Sequence, residues 1–318
     1  MNEKDLFLGF DIGGTKCAVV LGDGEGRVLQ KERFDTVGVE ETLEHLFSIA
    51  ERMKGYRAVG ISCGGPLDSS RGVILSPPNL PGWDNVEIVR MAEERLGVPT
   101  YLCNDANAGA VAEWRFGAGK GCRNVVFMTF GTGLGAGLIL DGRLYAGTND
   151  YAGEAGHVRL APDGPVGYGK RGSFEGFCSG SGIAQMGVAA AREALRLGKQ
   201  CAYCRDEAAL LTVTARTVAE TANAGDPTAL EVFRHCGERL GHGCAMLVDL
   251  FNPERIVIGS IFARCEHLLR PPMERVLQEE ALPGALAVCR ILPAALGERI
   301  GDVAALSVAV DGWSRTGR

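Results

Sequence analysis

The residues best suited to chemistry near the start of the chain form one cluster behind an apolar run. Leu6–Phe10 is almost wholly apolar and predicts a buried strand. Glycine lets the backbone turn tightly and approach a ligand closely. A carboxylate, glycines, a hydroxyl and a cation at a strand end therefore suit a metal-bound polyphosphate. An ordinary β-hairpin turn is the alternative, because paired glycines mark such turns. The residues of the cluster are Asp11, Gly13, Gly14, Thr15 and Lys16.

A second glycine hairpin further along the chain repeats this pattern. Phe130 and Gly133 correspond to Phe10 and Gly13, and an apolar strand follows each loop. Two such hairpins predict a duplicated domain that holds one phosphate chain through both loops, with Thr132 and Gly133 in the second. Chance similarity of two hairpins is the alternative.

Two other nucleotide-binding motifs do not fit the chain. Gly131–Ala136 matches a loose G-x-G-x-x-A pattern, but the chain continues into a predicted strand, whereas the dinucleotide fingerprint must open a helix. No G-x-x-x-x-G-K-[ST] motif of the P-loop kind is present. The sequence therefore predicts a phosphate-binding protein of neither type.

A carboxylate and an amide stand at the end of another predicted strand, Val98–Cys103. Asn104 and Asp105 follow this strand and begin a predicted helix that ends at about Phe116. The helix dipole favours an ionised carboxylate at this position. Either residue is alternatively a plain N-cap, although a cap whose carboxylate faces a ligand can still be catalytic.

Further polar candidates lie in glycine-rich loops. Glu154 and His157 are spaced among glycines, with a structural Glu–His pair as the alternative reading. Glu175 lies beside aromatic residues, a composition that suits the polar edge and apolar face of a sugar. Gly65 and Asn79 lie in two further loops, the first at a strand end, where open α/β sheets bind ligands.

Composition limits the class of protein. The 318 residues are 46% hydrophobic and 23% charged, which allows two globular domains with large cores. A net charge of −6 without a basic run argues against nucleic-acid binding. No apolar run approaches the ~18 residues of a membrane span, and Met1–Asp5 does not resemble the start of a signal peptide. We therefore expect a cytoplasmic protein with no membrane partner.

The eleven cysteines are scattered, many within apolar runs, which indicates buried free thiols in a reducing compartment. Cys201 and Cys204 form the one C-x-x-C, in a polar stretch where an incidental loop pair is favoured over a redox or zinc site.

The hydrophobic pattern alternates between helical and strand periods without a linker or repeat of helices. We expect an N-terminal α/β domain over residues 1–116 and a C-terminal α/β domain over 117–300, with a last helix at about 301–318 packed back on the first domain. The predicted helices are Glu40–Met53, Val86–Leu96, Ser181–Leu197, Ala208–Ala224, Asp226–Phe251 and Gly301–Val310, and further strands are Ala58–Ser62, Arg255–Ile258 and Ala287–Leu292.

Four motifs in a fixed order give the chain a resemblance to the ROK family of repressors and sugar kinases. They are Asp11–Lys16, Asn104–Asn107, Gly131–Gly135 and Gly153–His157, and the resemblance covers essentially the whole chain. It implies an α/β, actin-like ATPase fold of the hexokinase/Hsp70 type, with two α/β domains around a central cleft. The duplicated hairpins agree with that fold independently.

The resemblance implies ATP-dependent phosphorylation of a hexose or hexosamine at its 6-hydroxyl, with Asp105 as the general base. Asp11 would act on Mg²⁺ through water, because Mg²⁺ dehydrates reluctantly. The positions that match sugar-binding residues are Gly65, Asn79, Asn104, Asp105, Glu154, His157 and Glu175. The positions that match nucleotide-binding residues are Asp11, Gly13, Gly14, Thr15, Lys16, Thr132 and Gly133, with Gly259 near the adenosine.

The chain departs from the family pattern at two places. Many members carry a C-x-C-G-x-x-G-C zinc cluster, but the corresponding positions here are Val166, Tyr168 and Ser173, so we expect no structural zinc. Packing by Tyr168, Phe174 and Phe177, and an ion pair of Arg171, would then hold this loop. The adenosine loop reads Gly259–Ser260 where the family usually has two glycines.

Two other functions are open from the sequence. A sugar-responsive regulator of the same family would carry a DNA-binding domain ahead of the first phosphate motif, and only ten residues precede Asp11. A sugar-binding protein without catalysis would not need Asp105 and both phosphate loops. Glucose is the first choice of substrate, with N-acetylmannosamine, N-acetylglucosamine, allose and fructose as alternatives. A homodimer is usual for relatives.

Overall fold

The computed structural model describes residues 5–199 and 201–316. Met1–Lys4, which belong to the segment tested for a signal peptide, lie outside the described residues. The same holds for the last two residues of the predicted C-terminal segment 301–318.

The first part of the chain begins with a meander of strands and then alternates helices and strands. Its elements are β1 (Leu6–Ile12), β2 (Lys16–Asp23), β3 (Val28–Asp35), α1 (Val39–Arg52), β4 (Tyr56–Cys63), β5 (Leu67–Asp68), β6 (Val73–Ile74), α2 (Ile88–Leu96), β7 (Thr100–Asn104) and α3 (Asp105–Phe116).

The second part repeats the strand meander and then becomes mostly helical. Its elements are β8 (Val125–Met128), β9 (Ala136–Leu140), β10 (Arg143–Tyr145), β11 (Val166–Gly167), β12 (Lys170–Arg171), α4 (Phe174–Phe177), α5 (Gly180–Arg196), α6 (Ala215–Asn223), α7 (Pro227–Phe251), β13 (Arg255–Ile258), α8 (Ile261–Glu280), α9 (Pro283–Leu286), β14 (Arg290–Pro293) and α10 (Ile300–Arg315). Short 3₁₀ helices occupy Ala155–His157, Ala208–Thr212 and Gly297–Arg299.

The two five-stranded sheets have the same strand order. The first is β3-β2-β1-β4-β7 and the second is β10-β9-β8-β13-β14. In the first sheet, β1 pairs antiparallel with β2 and parallel with β4, and β4 pairs parallel with β7. In the second sheet, β13 runs parallel to both β8 and β14, and β9 pairs antiparallel with β10. The duplication predicted from the two hairpins is therefore confirmed.

The described chain divides into two compact units. The first contains the described residues up to Arg123, Gly137–Ala152 and the residues from Ala295 onward, and the second contains Asn124–Ala136 and Gly153–Ala294. This division differs from the predicted boundaries mainly at 137–152, which the sequence analysis assigned to the C-terminal domain.

The core of the first unit lies on both faces of its sheet. On one face, α1 presents Leu43, Leu46, Phe47 and Ala50, and all four are buried. On the other face, α10 packs against β1 and β4, with Leu306 and Val310 fully buried. Packing on both faces holds the sheet in place, and with it the carboxyl ends of β1 and β7.

Three predicted elements differ from the structure. The helix predicted over Ala208–Ala224 is wrong in its first part, because Thr214 is extended and caps a new helix, accepting a hydrogen bond from the Thr217 amide. The strand predicted over Ala287–Leu292 begins only at Arg290. Helix α8 was not predicted, and its interior contains Pro271 and Pro272, residues that normally argue against a helix.

The cysteines of the described residues are free thiols, and all but Cys289 are buried. Cys201 and Cys204 are among the buried ones. Within the described residues, no helix combines the length and apolarity that crossing a membrane requires.

Candidate functional site

The first glycine loop closes between β1 and β2. The Gly13 amide donates to the Lys16 carbonyl at 3.1 Å, and the Thr36 hydroxyl donates to the Gly13 carbonyl at 2.6 Å. Gly14 and Thr15 are exposed, so their backbone and the Thr15 hydroxyl are open to a ligand. Lys16 has an acidic neighbour of its own, since its Nζ lies 3.9 Å from an Asp35 carboxylate oxygen.

Asp11 precedes this loop and occupies an electrostatically unfavourable place. Its pKa is raised to about 6, chiefly by burial and next by the nearby carboxylates of Asp302 and Asp105, against the lowering effect of Lys31 and Arg33. Asp302 is itself paired with Lys31 at 2.7 Å. A cation near Asp11 would relieve this repulsion, so the first unit offers a place for positive charge.

Asn104 and Asp105 divide two roles at the start of α3. Asn104 is the N-cap, and its side-chain oxygen accepts from the Ala106 amide at 3.0 Å. The Asp105 carboxylate accepts from the same amide at 2.7 Å, and no other residue of the described chain donates to it. The cap function therefore falls on Asn104, and Asp105 keeps acceptor capacity for a ligand.

The Asp105 side chain is reachable by solvent although protein atoms crowd around it. Burial raises its pKa above the usual value, and the hydrogen bond from the Ala106 amide partly opposes this rise. Because water still reaches the carboxylate, we expect a smaller rise than for a sealed group. A reachable carboxylate with a raised pKa is suited to accept a proton.

Gly65 and Asn79 lie beside these residues. A Cβ on Gly65 would stand 3.2 Å from Asn104 Nδ2, and a Cβ on Gly14 would stand 2.3 Å from the Asn79 carbonyl oxygen. The Asn79 side chain is exposed, while Trp83 in the same loop is 1% exposed and anchors it. Within the first unit the structure thus brings together the candidates from Asp11 to Asp105.

The second glycine loop belongs to the second unit and is tied to two helix starts. The Gly180 amide at the start of α5 donates to the Gly131 carbonyl at 2.8 Å, and the Ser181 hydroxyl donates to the Thr132 carbonyl at 3.1 Å. The Ile261 amide, at the start of α8, donates to the Phe130 carbonyl at 2.9 Å. The Thr132 side chain is exposed.

Gly259 and Ser260 precede α8 beside this loop. Gly259 is buried and its amide donates to the Met128 carbonyl at 2.9 Å. Ser260 has φ +49° and ψ −108°, a backbone conformation that favours glycine. The structure thus gives a physical reason for glycine at this position in relatives.

Glu175 lies in α4 and contacts the second glycine loop directly. Its Oε2 accepts from the Leu134 amide at 3.0 Å. A Cβ on Gly133 would stand 2.7 Å from the same oxygen, so the missing side chain of Gly133 makes room for Glu175. The sequence analysis assigned the two residues to different ligands and did not anticipate their contact.

Glu154 directly precedes the short 3₁₀ helix Ala155–His157, and His157 is the last residue of this helix. Both side chains are exposed. The His157 ring meets the Tyr168 ring edge-on, with centroids 6.3 Å apart. The Lys170 ammonium donates to the His157 carbonyl at 2.7 Å. These contacts leave the His157 ring accessible to a ligand.

The loop that carries zinc in many relatives is held here by other contacts. Phe174 and Phe177 are buried as predicted, and Arg171 pairs with Asp163 at 3.1 Å as predicted. The packing role predicted for Tyr168 is wrong, because its side chain is 79% exposed at a positive φ. The Gln185 side chain accepts a hydrogen bond from the Val166 amide and donates one to the Val166 carbonyl, each at 2.9 Å.

Asp11 is the residue of the first unit that best fits a magnesium ion. Its half-buried carboxylate, near two others, is a suitable outer ligand for a hydrated cation that the nucleotide carries. In the part of the chain that the structure describes, no group of three or more His, Cys, Asp or Glu residues could hold a metal. A protein cage for the ion is therefore not expected, and phosphates and water would supply most ligands.

The strand order shared by the two sheets, with a glycine hairpin in each, is that of an actin-like ATPase fold. The ROK family model matches residues 7–311, and the chain belongs to the ROK family. The chain is 32% identical to a glucokinase of Streptomyces coelicolor over 96% of its length and 97% of the relative.

Solved structures agree with this assignment. A ROK glucokinase from Streptomyces griseus in complex with glucose and AMPPNP is 31% identical, with a TM-score of 0.75 over 96% of this chain and all of that one. A ROK family transcriptional regulator, a homologue of the E. coli MLC protein, is 25% identical, with a TM-score of 0.83 over 97% of this chain and 79% of that one. The fold is therefore shared by kinases and regulators.

Sequence reasoning missed two contacts at the site. Asp302 lies in the first turn of α10 and acts on Asp11, but nothing in its sequence surroundings marks it. Ser181 supports the Thr132 carbonyl, and its place at a predicted helix start was the one available signal.

Proposed function

We propose that this protein transfers the γ-phosphoryl group of ATP to a hexose or hexosamine, most simply to the 6-hydroxyl of glucose. The observation that carries the proposal is the Asp105 carboxylate. It stands at the start of α3, its pKa is raised by burial, and the Ala106 amide is the one donor to it from another described residue, which leaves acceptor capacity for a ligand. The ROK glucokinases similar to this chain support glucose as the first choice.

In this proposal the residues of the chain bind, orient and move one proton. Asp105 accepts the proton of the attacking sugar hydroxyl. The amides of the two glycine loops and the Thr15 and Thr132 hydroxyls hold the phosphates. Phosphoryl transfer needs positioning and charge stabilisation more than covalent participation by the protein. A bound Mg²⁺ would neutralise charge on the phosphates, and Asp11 would hold its water shell.

In this proposal each unit offers candidate contacts for sugar hydroxyls. Asn104, Asn79 and the backbone at Gly65 serve from the first unit. Glu154, His157 and Glu175 serve from the second. Hydroxyl groups suit these residues, because carboxylates accept hydrogen bonds while amides and imidazole both donate and accept.

The test compares Asp105→Asn with the wild type in an assay of ADP release with Mg-ATP. The panel of sugars is glucose, N-acetylmannosamine, N-acetylglucosamine, allose and fructose. Loss of a general base lowers kcat by ~10²–10⁴-fold, whereas the Kd for AMPPNP should stay near its wild-type value. The matched control is Asp141→Asn, an exposed carboxylate paired with Arg123, which should leave kcat unchanged.

The result also separates the kinase from a regulator of the same family. A wild-type protein that binds a sugar of the panel but releases no ADP with any of them would overturn the proposal. A near-normal kcat of Asp105→Asn on the best sugar would remove Asp105 from the role of base while leaving the kinase activity in place.

A further inference from the structure

Glu175 is the one candidate sugar contact whose carboxylate also holds a phosphate loop. Its Oε2 accepts from the Leu134 amide at 3.0 Å, inside the Gly131–Gly135 loop. Its Oε1 has no hydrogen-bond partner among residues 5–199 and 201–316. The side chain is half-buried, so this second oxygen is open to a ligand.

Glu175 is closely packed by three segments, each of which has a glycine at the point of contact. A Cβ on Gly133 would stand 2.7 Å from Oε2, and one on Gly167 would stand 2.8 Å from the Glu175 Cβ. A Cβ on Gly156 would stand 2.1 Å from the Leu134 carbonyl oxygen and 3.3 Å from the Glu175 Cβ. These segments are the phosphate loop, β11 and the loop of His157. A movement of Glu175 would therefore displace all three.

We propose that Glu175 is a positioning residue that couples sugar binding to nucleotide binding, a role that rests on the proposed function. Oε1 accepts a hydroxyl of the sugar while Oε2 keeps the Leu134 amide. A sugar that fixes the Glu175 carboxylate thereby fixes the loop of Thr132 and Gly133, and the phosphates then bind a loop that is already ordered. Binding of the first ligand includes the free-energy cost of ordering the loop. The second ligand does not bear this cost and therefore binds more tightly.

This coupling is reciprocal by thermodynamic necessity. If saturating sugar tightens nucleotide binding by some factor, saturating nucleotide tightens sugar binding by the same factor. Couplings between sites are typically ~5–150-fold. We therefore expect a factor of at least ~5 in the wild type, in both directions.

Glu175→Asp is the discriminating variant. It keeps the negative charge but is one methylene shorter, so it cannot reach a sugar hydroxyl and the Leu134 amide together. The factor should fall to about 1, although each ligand alone still binds. Glu175→Gln keeps the length and an oxygen that can accept from Leu134, so it should retain a factor clearly above that of Glu175→Asp.

The measurement is titration calorimetry of the full chain with AMPPNP, with the best sugar of the panel, and with each in the presence of the other. The matched control is His157→Gln, another proposed sugar contact that makes no hydrogen bond to the 131–135 loop among the described residues. It should weaken sugar binding several-fold and leave the coupling factor unchanged.

The outcomes separate this inference from the proposed function. A wild-type factor of 1, or a factor unchanged in Glu175→Asp, overturns the coupling even if the protein phosphorylates the sugar. Absence of phosphorylation and of sugar binding in the wild type overturns the proposed function itself. A factor that falls equally in His157→Gln and Glu175→Asp also contradicts a specific role of Glu175.

Discussion

The charge of the Asp11 carboxyl group depends on its burial and on the carboxylates near it. Burial raises its pKa to about 6, with Asp302 the next largest cause. A group with a raised pKa loses its charge as pH falls through that value. If ionised Asp11 is needed for Mg-ATP, activity is half-maximal at about pH 6, rises to its full value above it and falls below it.

Asp302→Asn tests this electrostatic effect. Removing the Asp302 charge should lower the pKa of Asp11 and move the acid limb of the pH profile to lower pH. The quantity to measure is kcat/KM for ATP from about pH 4.5 to 8, because it reports groups of the free enzyme. Asp141→Asn serves as control, since its exposed carboxylate is not among the charges that act on Asp11.

An acid limb that stays in place, or moves to higher pH, in Asp302→Asn would contradict this account of Asp11. A parallel change in Asp141→Asn would show that general surface charge sets the profile instead.

At the residue scale, the sequence did not show how neighbouring side chains divide their tasks. It left open whether Asn104 or Asp105 caps α3, because both residue types are good caps. The observed hydrogen bonds answer this by giving the cap to Asn104. The contact of Gly133 with Glu175 was beyond sequence reasoning, because the two residues meet only through tertiary packing.

Ser260 illustrates how one element can carry strain at its first turn. Helix α8 begins directly after this residue, which has φ +49° and ψ −108°. Such a conformation costs a residue with a side chain ~1–3 kcal/mol. The loop is nevertheless retained, because its neighbours Gly259 and Ile261 are fixed by hydrogen bonds to Met128 and Phe130.

Ser260→Gly should raise the free energy of unfolding by roughly 0.5–2 kcal/mol, because glycine adopts this conformation without strain. Urea denaturation measures the change. Ser260→Ala is the matched control, since it removes the hydroxyl but keeps the Cβ, and it should give no such gain. Equal stability of the glycine and alanine variants would exclude backbone strain at this position.

The segment from His157 to Glu175 is held by hydrogen bonds from two side chains outside the strands. The Gln185 side chain both accepts from the Val166 amide and donates to the Val166 carbonyl. Ser173 caps α4 through the Gly176 amide at 3.0 Å. These bonds fix β11 and α4.

Gln185→Ala should therefore weaken sugar binding several-fold without changing AMPPNP affinity in the absence of sugar.

Prolonged treatment with EDTA followed by its removal should leave the Tm and the sugar Kd of the wild type unchanged. Stoichiometric zinc in the purified protein whose loss lowers the Tm would contradict this prediction and direct attention to Cys201 and Cys204.

At the scale of the whole molecule, the duplication was visible in the sequence because each half begins with the same hairpin. The strand order that follows from it is the same in both sheets. The sequence analysis assigned segment 137–152 to the C-terminal domain, whereas the first observed unit contains it. A hairpin in the middle of a chain gives no sign of the unit with which it packs. Helix α8 was missed because of its two prolines.

Glu113 secures the first unit at two points far apart in the chain. This carboxylate is fully buried in α3 and accepts from the amides of Ala118 at 2.7 Å, Ala295 at 3.2 Å and Leu296 at 2.9 Å. The first amide lies shortly before the chain leaves this unit, and the others lie where it returns. A single side chain thus satisfies three backbone donors on both segments.

Glu113→Ala should lower the free energy of unfolding by roughly 3 kcal/mol or more, because each buried donor left without an acceptor costs ~1–3 kcal/mol. Glu113→Gln should cost less, since its one oxygen still accepts while its amide nitrogen faces the remaining donor. Urea midpoints and m-values measure both. Glu94→Ala, an exposed partner of Arg90, should change stability by no more than about 0.5 kcal/mol. If Glu113→Ala unfolds at the wild-type urea concentration, the three hydrogen bonds do not stabilise the first unit, and the packing of α10 against β1 and β4 must hold its returning segment alone.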